Sequence, residues 1–147
     1  MAKRSERLKS IQKVAEKREQ EAAREMGKTR THLNELEKRL SELITFREEY
    51  ARNFLADGIK GMSVGKMHEY QNFITRIDQA IAFQRTTIEQ AKNVYSHRQR
   101  IWRHLHGRVM AMEKLAIRYR QQEQALIDQR EQKETDERAQ RAKRIEL

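Results

Sequence analysis

Four groups of residues have the types and spacing that could do chemistry, and each is tested against what the chemistry needs. Gly61-Met62-Ser63-Val64-Gly65-Lys66 looks like a phosphate-binding loop. It lacks one spacer residue, Met67 stands where Ser or Thr would hold magnesium, and no strand pattern precedes it, so it is read as a turn. His97 and His104 are seven apart on one helical face, but no third ligand accompanies them and no HExxH occurs, so no zinc site is expected. The Asp and Glu carboxylates fall almost entirely on predicted solvent faces, where nothing would shift their pKa toward general acid or base work. Cysteine is absent, which removes thiolate nucleophiles, thiolate metal sites and disulfides, and suits the cytosol. No catalytic, cofactor or metal site is expected, and the chain is read as a non-enzyme.

The composition explains why such sites are missing. Of the 147 residues 37% are charged, as many as are hydrophobic, 6% are aromatic and mean hydropathy is -1.05. That is too little apolar matter for a thick core, though enough for a seam between helices. There is no proline, and three of the five glycines cluster at Gly58, Gly61 and Gly65, so the chain reads as two long helices and one turn. No apolar run approaches the roughly 20 residues of a membrane span, and the basic N-terminus is not followed by the apolar stretch of a signal peptide. The protein is therefore read as soluble, or at most peripheral to a membrane. The net charge of +10 favours acidic partners, whether nucleic acid, anionic lipid or protein.

The spacing sets the fold. From about residue 5 to 56 the apolar positions step by threes and fours through Leu8, Ile11, Ala15, Ala22, Met26, Leu33, Leu36, Leu40, Leu43, Tyr50 and Phe54. A second ladder runs through Tyr70, Ile74, Ile77, Ile81, Ile88, Ala91, Tyr95, Trp102, Leu105, Val109, Met112, Ala116, Tyr119 and Leu126, interrupted only by Gln84, Arg98 and Glu123. The turn is placed at about 57–63, with Ser63 as N-cap and Met62 and Met67 at the staple positions. The second helix is placed at about 64–140. A turn this short makes the helices antiparallel: an all-α, two-helix coiled-coil hairpin forming a single domain. Arms of about 75 and 115 Å leave the chain beyond about Gln121 without a partner helix.

Two surfaces stand out. Near the turn Leu43, Ile44, Phe46, Tyr50, Phe54 and Leu55 cover more than one stripe, and Phe73, Ile77 and Ala80 run beside the second seam. Thickened packing and a protein-binding patch explain this equally well. Residues 90–112 hold no acid, but five basic residues and His97, His104 and His106. They read as a solvated face or as a docking surface for an acidic partner.

Three segments carry a family resemblance: Ala15-Glu16-Lys17 through Ala22-Ala23 to Gly27; Leu43-Ile44, Glu49-Tyr50 and Tyr70-Gln71-Asn72-Phe73-Ile74 with Ala80-Ile81; and Arg130-Glu131-Gln132-Lys133, Asp136-Glu137 and Ala139-Gln140-Arg141. Together they resemble the FliJ family of the flagellar type III export apparatus. The resemblance implies a soluble hairpin similar to the central stalk of rotary ATPases, monomeric when alone. Such a protein inserts the end bearing its termini into the hexameric export ATPase, promoting its assembly and activity, and contacts the membrane export-gate protein FlhA and export chaperones. It would be cytoplasmic, peripheral at the flagellar base, and serve flagellum biogenesis and motility. On this resemblance the gate-binding surface falls on Arg39, Leu43, Phe46, Tyr50, Phe73, Ile77, Ala80 and Gln84. Arg39 and Gln84 depart from the family pattern, which has a neutral amide and a histidine there. ATPase binding falls on Ala15, Lys17, Ala22, Ala23, Gly27, Arg130, Gln132, Lys133, Asp136, Gln140 and Arg141. The rival readings are the stalk of a virulence-type secretion system, a basic nucleic-acid-binding coiled coil and a purely structural or dimerising coiled coil. Against the second, 22 acidic residues interleave with the basic ones and no basic region precedes a zipper.

Overall fold

The computed structural model describes residues 3–146. Within them lie two helices and no strand: α1, Arg4–Gly58, and α2, Val64–Glu146. Ala, Leu, Glu, Lys, Arg and Gln dominate both, and all lose little entropy in a helix. The two helices pack against each other as an antiparallel hairpin.

α1 contributes one residue at every step of three or four: Ser5, Leu8, Gln12, Ala15, Glu19, Ala22, Met26, Thr29, Leu33, Leu36, Leu40, Leu43, Arg47, Tyr50 and Phe54. Every one of these is buried or half-buried. α2 contributes its ladder from Tyr70 to Glu123, with Arg98 alone exposed and its neighbour Gln99 half-buried instead. One expectation is corrected. Ile11 is not on the seam but 53% exposed, because the step from Leu8 to Ala15 passes through Gln12, about 100° around the helix. Leu126, the last position of the expected ladder, is also exposed, at 56%.

The chain divides into two compact units. One spans Ala22–Trp102 and contains the turn. Its core is Leu33, Leu36, Ile88 and Ala91, with Leu40 packed against them. Gln84, a polar interruption of the ladder, donates from its amide to the Leu36 carbonyl at 3.0 Å. The turn closes through Lys60 N–H to Asp57 C=O and Gly61 N–H to Gly58 C=O. Gly61 has φ +89°, the left-handed conformation that only glycine adopts without strain. Ser63 caps α2, its hydroxyl accepting from Lys66 N–H at 3.3 Å.

The other unit joins the stretch up to Glu21 with the stretch from Arg103 onward. Leu8, Val109 and Ala116 are its buried apolar residues. Glu123 accepts from the Ser5 backbone N–H at 3.2 Å and from the Ser5 hydroxyl at 2.7 Å. A carboxylate from α2 thus caps the first turn of α1, where orphan N–H groups and the helix dipole both favour negative charge. Glu19 meets His106 Nδ1 at 3.2 Å, and Arg4 lies over the Tyr119 ring. Every described residue from Gln124 onward is exposed although α2 continues to Glu146.

Two outcomes follow. Leu33→Ala, at 2% exposure, should cost about 2–4 kcal/mol in urea denaturation. The Ser5 hydroxyl, with smaller help from the Ser5 N–H and Lys3, holds the Glu123 carboxyl below its ordinary pKa against the opposing effect of desolvation. A lowered carboxyl pKa stabilises the fold above the ordinary carboxylate range and ceases to do so as pH falls through it. The Tm of Glu123→Gln should therefore lie below wild type at neutral pH, and the two should converge on acidification.

Candidate functional site

The turn-containing unit ends in a set of five stacked or tilted rings. Phe54 and Tyr70 stack with centroids 3.6 Å apart, Tyr50 stacks on Tyr70 at 5.6 Å, and Phe73 meets Tyr50 at 4.4 Å and Phe46 edge-on at 6.1 Å. Offset and edge-on geometries are the favourable ones for aromatic quadrupoles. α1 supplies Phe46, Tyr50 and Phe54 at steps of four, and α2 supplies Tyr70 and Phe73 at a step of three, so each trio or pair lies along one face. The thickened-packing reading thus accounts for Tyr50, Phe54, Tyr70 and part of Phe73. Phe46 remains 48% exposed at the edge of the set.

The residues assigned to a gate-binding surface all lie in this unit. Leu43, Tyr50 and Phe73 are half-buried, Arg39 and Ala80 exposed, and Ile77 buried. Gln84 is committed to the Leu36 carbonyl. The accessible part is therefore Arg39, Phe46, the outer edge of Phe73 and Ala80. Farther along, Lys28, Thr29, His32, Thr87, Gln90, Ala91 and Val94 line a shallow groove across both helices.

The residues assigned to ATPase binding are not brought into one constellation. Ala15 and Lys17 belong to the unit with the termini, where Ala15 lines a small groove with Ile11, Val14, Arg18, Leu105, Arg108 and Met112. Ala22, Ala23 and Gly27 belong to the other unit. Arg130, Gln132, Lys133, Asp136, Gln140 and Arg141 are exposed on the part of α2 that α1 does not cover, where Gln132 donates to Asp136 at 3.1 Å.

A second groove near the turn was not legible in the apolar spacing. Ile44, Arg47, Glu48, Asp78, Ile81, Ala82 and Arg85 line it. The Arg47 guanidinium donates to both Asp78 oxygens, at 2.5 and 3.3 Å. This hydrogen bond lowers the Asp78 pKa and raises that of Arg47. The signal was the charged residue Arg47 at a seam step, which a search for apolar ladders passes over.

Among the described residues no group of three or more His, Cys, Asp or Glu is placed to hold a metal ion. No helix is long and apolar enough to cross a membrane. The Gly61–Lys66 stretch is a turn and helix start with no strand before it.

The fold and these surfaces define the class: an antiparallel two-helix coiled coil whose distinctive side chains are displayed on surfaces rather than gathered in a pocket. The family model described as "Flagellar FliJ protein" matches residues 4–144. The chain is 31% identical over 137 residues, 92% of each chain, to the flagellar FliJ proteins of Escherichia coli K12 and of Salmonella typhi. This chain belongs to the FliJ family, a family of flagellar export components. No solved structure matches it.

Ring packing and surface display separate by mutation. Tyr70→Ala, which removes both stacks, should cost about 2–4 kcal/mol in urea denaturation, and Phe46→Ala less than about 1 kcal/mol. Equal costs would mean that Phe46 is as much core as Tyr70.

Proposed function

We propose that this protein is a non-enzymatic component of the flagellar export apparatus that binds the hexameric export ATPase as a stalk and links it to the membrane export gate FlhA and to export chaperones. Membership of the FliJ family supports the flagellar assignment. One structural observation carries the stalk reading. From Gln124 to Glu146 α2 continues as a helix with every residue exposed and nothing of α1 against it. Most helix stability in proteins comes from tertiary packing, and this segment rests on local propensity instead. Such a segment is suited to gain stability from a partner that surrounds it.

In this reading Arg130, Gln132, Lys133, Asp136, Gln140 and Arg141 on the tail, with Ala15, Lys17, Ala22, Ala23 and Gly27 on α1, meet the ATPase. Arg39, Phe46, Phe73 and Ala80 form the accessible part of the gate surface, around the more buried Leu43, Tyr50, Ile77 and Gln84. The protein acts in the cytoplasm, as a monomer when alone, and is peripheral on the cytoplasmic side of the membrane at the flagellar base.

The test is the hydrolysis rate of the cognate export ATPase titrated with the full chain and with a chain ending at Gln121. Stimulation by the full chain and its loss on truncation are expected. Loss only on deleting the turn, with the truncated chain fully active, would overturn the placement of the ATPase site. No stimulation at any ratio would overturn the stalk role itself.

A further inference from the structure

Three features around the turn each run against local stability. Leu55, Ile59, Val64 and Met67 are 67%, 90%, 70% and 46% exposed. Exposed apolar clusters of this kind mark contact surfaces. The first turn of α2 holds no acid but does hold Lys66, a cation at the helix end whose dipole favours anions. Of the three glycines only Gly61 has a positive φ. Nothing crowds Gly58, and Gly65 has only the Ser63 hydroxyl near it, at 3.9 Å. Alanine would fit at both, so glycine leaves the tip more deformable than the turn requires. Local rules broken together at one place are expected where a site is displayed.

The charge pattern selects the occupant. Residues 58–68 contain no acid and interleave Ile59, Met62, Val64 and Met67 with Lys60, Lys66 and His68, and Asp57 is the one acid between Leu55 and Met67. A chain reversal is convex, so its side chains project outward and offer no groove to hold a partner. Apolar side chains on a convex, deformable loop with cations between them fit a medium that yields to them. The interfacial layer of an anionic bilayer does so, taking apolar groups a few ångströms below headgroups that pair with the lysines.

We propose that the turn is a membrane-surface contact, with Leu55, Ile59, Val64 and Met67 dipping into the headgroup region of anionic lipid and Lys60 and Lys66 pairing with its phosphates. The contact is peripheral and reversible, and it does not depend on the stalk reading.

The chain has no cysteine, so Ile59→Cys carries one environment-sensitive fluorophore at the tip and Gln124→Cys one on the tail. The full chain is mixed with vesicles of phosphatidylglycerol and phosphatidylethanolamine, or of phosphatidylcholine alone, with no flagellar component present. A blue shift of the tip label on anionic vesicles only, with the tail label unmoved, is expected. Lys60→Gln and Lys66→Gln should each weaken vesicle binding about fivefold. Val64→Asp should weaken it at least about tenfold while the Tm holds or rises, because an acid in the first turn of α2 suits the helix dipole. That separates lost binding from lost folding. Absence of binding to anionic vesicles at low salt would overturn the proposal. So would binding that leaves the tip label unmoved and ignores Val64→Asp, which is adsorption by the general charge of +10. A tip shift produced by purified FlhA in solution and by no vesicle would reassign the surface to protein.

Discussion

Everything in this protein rests on one constraint: a helix with an apolar stripe must cover it, and here each stripe is covered by a single other helix. A seam between two helices has almost no interior. Among the described residues no large side chain falls below 2% exposure, and even the best-covered positions, Leu33, Leu36 and Ile88, have solvent a few ångströms away. Such a seam tolerates polar residues that a thick core would reject, provided each finds a partner across it. Gln84 does so at the Leu36 carbonyl, Glu123 at Ser5 and Glu19 at His106. These partners also fix the register. Sliding one helix by a turn would strand Glu123 away from the Ser5 N–H and hydroxyl it caps.

The same thinness determines how the protein can work. Two helices side by side leave most of their side chains in contact with solvent. What they make is surface. The ring set near the turn is part packing and part display: Tyr50, Phe54 and Tyr70 hold the helix ends together, and Phe46 faces outward from them. In the far part of α2 every described residue from Gln124 to Glu146 is exposed. Family membership and these displayed features point the same way, toward a protein whose effects are exerted through what it touches.

The fold was legible because its signals are long-range in sequence and simple in kind. No proline, one glycine cluster and two ladders of threes and fours leave few alternatives to a hairpin. The α2 ladder, including its polar breaks at Gln84 and Glu123, matches the buried positions, with Arg98 and Leu126 the exceptions. The α1 ladder was harder. Its first half is alanine-rich and weak and carries Gln12, Glu19 and Thr29 on the seam, so Ile11 attracts the stripe to a position about 100° off. A polar residue is recognised as a seam residue only once its partner on the other helix is known. Arg47 with Asp78 and Glu123 with Ser5 are pairs that spacing within one helix cannot reveal. The candidate surfaces were legible as composition, but their accessible portion was not. Whether Phe73 or Ile77 faces solvent depends on which neighbour stacks against it.

The central claim is that α1 and α2 of one chain pair with each other, antiparallel and in this register. Spin labels at Lys28→Cys and Val94→Cys, which line one groove across the two helices, measure it directly. A single short label-to-label distance, unchanged on dilution and on mixing with excess unlabelled protein, is the result this account predicts. A long or broad distance, or a short one that vanishes when unlabelled chains are added, would contradict it.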